Sequence, residues 1–95
     1  MDLASIARTR IAFLHTDLDL AETFVSLAGT QGKAEDYERS NMLLAKARLA
    51  IESVRRLMTS PPKMPLDDVA RLTWRCGRVE SSIKSLQSAR RQSLR

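Results

Sequence analysis

At 95 residues the chain has room for one domain, spanning 1–95, and such a chain buries only about 60–65% of its unfolded surface, so modest stability without a partner is expected. A single cysteine, Cys76, excludes an intramolecular disulfide. No stretch approaches the ~20 apolar residues of a membrane span, and aromatic residues make up only 4%. The net charge of +5 is carried entirely by residues 61–95, because acidic and basic side chains cancel over 1–60.

Sustained apolar/polar alternation and hairpin dipeptides are missing, whereas a helical period recurs three times. The first segment, about 2–29, places Ala4, Ala7, Ile11, Leu14, Leu18, Ala21, Val25 and Ala28 on one row. An adjacent row holds Leu3, Ile6, Phe13, Leu20, Phe24 and Leu27, broken by Arg10 and Asp17. Together they form a stripe wide enough to pack against two neighbours. Gly29 and Gly32 are expected to end this helix. The second segment, about 33–59, aligns Tyr37, Ser40, Leu44, Ala47, Ile51, Val54 and Met58. Glu35 and Glu38 fall in its first turns and Arg55 and Arg56 near its end, as the helix dipole favours. Ser60-Pro61-Pro62 stops it.

The third segment, about 65–90, begins near Pro65 with Asp67 and Asp68 at its positive end. Val69, Leu72, Cys76, Val79, Ile83 and Leu86 form its apolar row, and a basic tail follows over 90–95. Short links between long helices imply antiparallel neighbours. The expected fold is all-α, an elongated antiparallel up-down-up three-helix bundle.

Candidate chemistry is sparse. His15 shares a helical face with Asp19 and Glu22, but a metal site would want further ligands at recognisable spacing. The expected arrangement is a solvated face on which His15 pairs with the carboxylates. Cys76 lacks a neighbouring base and falls on an apolar row, so it reads as a small core residue. Gly-rich phosphate loops and close catalytic carboxylate pairs are absent. The chain therefore reads as non-enzymatic, with no cofactor, metal or small-molecule substrate. Trp74 falls off the third row beside Ala70 and Gly77, where it either packs on a helix edge or anchors a partner. Arg71, Arg75 and Arg78 stack on one face of the same helix.

The middle of the chain, residues 21–54, resembles a tetratricopeptide-repeat hairpin. Phe24-x2-Leu27-Ala28-x2-Gln31 occupies the place of that repeat's first helix, Asp36-Tyr37 its turn, and Ser40-x3-Leu44-x2-Ala47 its second helix. Gln31 stands for an aromatic residue, Ser40 for an alanine and Glu52 for the closing proline, and the repeat is single. Spectrin-like repeats and microtubule-interacting-and-transport domains share the three-helix architecture. Such a resemblance implies binding to another protein's helix or peptide.

The functional expectation is a protein-interaction module using the groove between the first two helices or Trp74 with Arg71, Arg75 and Arg78. Self-association is a further option for so wide an apolar stripe. The alternative is a nucleic-acid-binding accessory domain using Arg71, Arg75, Arg78, Arg90 and Arg91. Opening on Met1-Asp2-Leu3, without a basic-then-apolar leader, and with one thiol, the expected location is the cytoplasm.

Overall fold

A computed structural model describes residues 3–61 and 63–93, with side chains for 4–61 and 63–90. Three helices account for nearly all of it: α1 (Leu3–Lys33), α2 (Tyr37–Met58) and α3 (Leu66–Ser93). They lie side by side in a rod of 55 × 19 × 15 Å, and no strand occurs among the described residues. The fold is an all-α three-helix bundle. Cross-helix contacts set the directions: Ser40 meets Ala28 and Arg10 meets Leu57, so α1 and α2 run antiparallel. Arg75 reaches His15 while Leu86, further along α3, lies against Gly29, so α3 runs parallel to α1.

The expected rows supply the interior. Leu14, Leu18, Ala21, Val25 and Ala28 face Leu44, Ala47, Ile51 and Val54, and Leu72, Cys76, Val79 and Ile83 close the third side. The ends of the rows are less covered. Tyr37, Met58, Val69 and Leu86 are half-buried, and Ala4 lies exposed. Met64, in the link between α2 and α3, is buried and plugs one end of the core.

Two expectations about the first helix need correction. Gly29 and Gly32 do not end it: α1 continues to Lys33, and neither glycine has positive φ. The reversal falls instead on Glu35, the one non-glycine residue with φ of 62° among those described. Asp36 then caps α2, its carboxylate accepting from the Arg39 amide at 3.2 Å. Glu35 thus sits in the turn, outside the first turn of α2. The second correction concerns the Phe13 row. Phe13, Leu20 and Leu27 are 59%, 49% and 45% exposed, so this side of α1 is left uncovered by the described residues.

At the turn the two helices approach closely because only small side chains stand between them. Ser40, 4% exposed, donates its hydroxyl to the Ala28 carbonyl at 2.8 Å, satisfying a polar group that burial would otherwise penalise. At the other end the Arg10 guanidinium donates to the Leu57 carbonyl, one of the last acceptors of α2. The second helix is therefore tied to α1 at both ends. Leu18→Ala, at a fully buried position, should lower the unfolding free energy by about 2–5 kcal/mol in chemical denaturation, since the rigid rods collapse poorly around the space left.

Candidate functional site

The outer face of α3 follows from helix geometry. Ala70, Trp74, Gly77 and Ser81 are spaced four, three and four apart, so they line one stripe turned away from Leu72, Cys76 and Val79. Trp74 is 62% exposed. Arg78, one turn on, holds its guanidinium 4.9 Å from the centroid of the indole ring. This cation–π contact, of order 0.5–1 kcal/mol at an exposed site, steadies the ring without covering its other face. Gly77 completes the feature. A Cβ built there would meet nothing within 4 Å, so no other described residue uses the space that this glycine leaves. Trp74, Gly77, Arg78, Ser81 and Ser82 together line a shallow open hollow.

Of the four residues expected to form a partner surface, Trp74, Arg71 and Arg78 are exposed on this side. Arg75 is not among them. It sits on the edge of α3 next to α1, and its mostly buried side chain turns inward. Nη2 donates to Asp19 at 2.6 Å and to Glu22 at 3.1 Å, while Nη1 donates to the His15 carbonyl at 3.2 Å. Nη1 also lies 2.9 Å from His15 Nδ1, which must accept, because a guanidinium has only donors. The shared face of His15, Asp19 and Glu22 is therefore real, but the cation that it holds is the chain's own arginine. Burial is the largest single influence on Arg75 and opposes its charge. The hydrogen bonds from Asp19 and Glu22, with their negative charge, more than offset it and raise its proton affinity. Among the described residues no group of three His, Cys, Asp or Glu side chains could hold a metal ion.

Sequence reasoning missed Arg75 as a tie because its partners lie more than fifty residues away, and only the register of α3 on α1 brings them together. One further cation, Arg90, is withdrawn from the basic stripe in the same manner, and a cation of α2 is tied to α3 as well. Arg55 pairs with Glu80 across α2 and α3. Arg90 stacks over Tyr37 at 4.5 Å, donates to the Tyr37 carbonyl at 3.2 Å and reaches Asn41. The Arg91 side chain and Arg95 lie outside the described residues. An open hollow of about 250 Å³ adjoins Tyr37 and Arg90, bared by Gly29 and Gly32 on successive turns. That is below the ~300–1,000 Å³ of a typical small-molecule site. Cys76 is fully buried, and burial pushes its thiol above the ordinary range despite the nearby Arg55 and Arg75.

The chain matches no family model, no curated protein and no solved structure.

Two outcomes follow from the inward-facing groups. Arg75→Met keeps the apolar stem but removes the tie, and should cost about 1–2 kcal/mol at low salt. In 1 M NaCl the loss should shrink, because Asp19 and Glu22 are largely exposed. Cys76 in the folded protein should react with an aromatic disulfide roughly a hundredfold slower than in denaturant. Its raised pKa contributes stability below the ordinary thiol range. Wild type should therefore lose stability relative to Cys76→Ala as pH climbs through that raised value, which denaturation at a series of pH values measures.

Proposed function

We propose that this chain is a non-enzymatic interaction module that binds another protein through the outer face of α3, with Trp74 as the anchor. The observation that carries this reading is the exposed indole, 62% open to solvent, held by Arg78 beside the unoccupied space over Gly77. Tryptophan and arginine are the side chains that most often dominate protein interfaces. A glycine inside a helix costs about 1 kcal/mol relative to alanine, a cost that no contact among the described residues explains. A partner's backbone or side chain lying across Gly77 gives it a role.

The tetratricopeptide-like reading of α1 and α2 favours protein binding in general and does not bear on which face is used. The close contact of Ala28 and Ser40 is the small-residue approach that such a hairpin needs, and the class binds peptides and helices. A cytoplasmic setting suits a chain whose single thiol is buried in the core. Nucleic-acid binding is the weaker reading, because Arg75 and Arg90 are engaged within the bundle, which among the described side chains leaves Arg71, Arg78 and Lys84 on the basic stripe.

The free protein and the complex should respond in opposite directions. Gly77→Ala should raise stability by about 0.5–1 kcal/mol, as a Cβ there meets nothing, yet weaken capture of the partner in co-purification from native extract. Trp74→Ala should leave the unfolding midpoint within about 0.5 kcal/mol of wild type and abolish that capture. A Trp74→Ala protein that keeps the same partner defeats the assignment, and so does strong salt-sensitive retention on heparin that depends on Arg71 and Arg78.

A further inference from the structure

The side of α1 turned away from α3 carries a second seam. Ile6, Thr9, Phe13, Thr16, Leu20, Thr23, Leu27 and Thr30 are spaced three and four apart without interruption, and all eight are exposed. The large apolar side chains recur every seven residues and the threonines recur every seven between them. A heptad repeat held for this long is the pattern by which one helix packs along another. None of the eight is charged, in a chain where 28% of residues are.

The threonines strengthen the apolar character. Thr16, Thr23 and Thr30 donate their hydroxyls to the carbonyls of Ala12, Asp19 and Ser26 at 3.1, 3.0 and 3.3 Å. With each hydroxyl occupied on its own helix, the outward offering of these residues is largely methyl. Met42 and Leu49 of α2, 52% and 62% exposed, lie on the outer side of that helix, and Lys46, whose ammonium is 5.9 Å from the Phe24 ring, stands between them and α1, so the uncharged strip is confined to α1.

We infer that this face pairs with the same face of a second copy of the chain, α1 against α1 in antiparallel fashion. The alternation of three and four reads the same in both directions, so a two-fold axis beside residue 18 aligns all eight positions at once. Ile6 then meets Thr30 of the other copy, Thr9 meets Leu27, Phe13 meets Thr23 and Thr16 meets Leu20, and each contact occurs twice. Every large side chain thus lies against a small one, the fit that closely packed helices require, and opposed helix dipoles add to it. Each copy carries a net charge of +5, and this uncharged strip is where two such molecules can touch with least repulsion. The twenty-five residues from Ile6 to Thr30 make a strip ~36 Å long and about one helix, ~10–12 Å, wide. That is roughly 400 Å² per copy, the size of a weak, readily reversible contact. The seam lies on the far side of the α1–α2 pair from α3, so it leaves Trp74 open and stands independently of the assignment to that residue.

Sedimentation velocity across a concentration series reads the association directly. The expected species is a reversible dimer of twice 10.7 kDa. Leu20→Glu should raise its dissociation constant by at least about tenfold while the dilute chain keeps its melting temperature, since Leu20 is already 49% exposed. Thr23→Arg should act likewise and replaces Leu20→Glu should that variant fail to fold. Mixed Thr16→Cys and Leu20→Cys chains should form a disulfide between unlike chains faster than between like ones, with the buried Cys76 left in place. A 10.7 kDa monomer persisting to about 1 mM overturns the inference. So does a dimer indifferent to both substitutions, or cross-linking confined to like chains.

Discussion

The close approach of α1 and α2 is the constraint on which the rest of this bundle depends. Along the line where these helices meet, Ala21, Ala28, Ser40 and Ala47 stand buried, and larger side chains there would hold the backbones apart. Burying a serine at such a point is tolerable only because its hydroxyl has a carbonyl within reach, and Ala28 supplies it. Once the hairpin is closed, Leu14, Leu18, Ile51 and Val54 form a trough, and α3 fills it with Leu72, Cys76, Val79 and Ile83. Most of the favourable energy comes from removing these side chains from water, and the two closest helices fix where the third can lie.

Charge is distributed around that core by a simple division. Cations at the edges where helices meet are tied to a neighbouring helix: Arg10 to the end of α2, Arg55 to Glu80, Arg75 to Asp19 and Glu22, Arg90 to Tyr37 and Asn41. Cations on the outer faces, such as Arg71 and Arg78, remain exposed. The excess positive charge of the last third therefore overstates the basic surface, because part of it serves as struts between helices. The arginine stem suits this purpose, since its methylenes pack on apolar neighbours while the planar head satisfies several acceptors.

Two outward features are left after the core and the struts have been assigned, and they differ in kind. On α3 a single aromatic ring stands beside a bare patch of helix, the form of an anchor for a compact contact. On α1 an unbroken uncharged seam runs for most of the helix, the form of a long side-by-side contact. They face different directions, so occupation of one places no steric demand on the other.

The number of helices, their order and the residues of the core were legible in the sequence, because burial on one side of a helix imposes a period that composition cannot hide. The buried parts of the expected rows include Leu14, Leu44 and Leu72, as the pattern requires. The helix ends were less legible: glycines at 29 and 32 resemble a stop, yet the backbone reverses at Glu35, where the loop between two packed helices sets the position. Trp74 could be located on a flank but its exposure could not, since that depends on where α1 and α2 lie. The role of Arg75, the idle space over Gly77 and the lack of cover on the Phe13–Leu20–Leu27 seam were decided by tertiary structure alone. Periodicity reports which side of a helix is apolar. Which neighbour covers that side, or whether any does, depends on the register and rotation of rods joined far apart in the chain, and local sequence carries no measure of either.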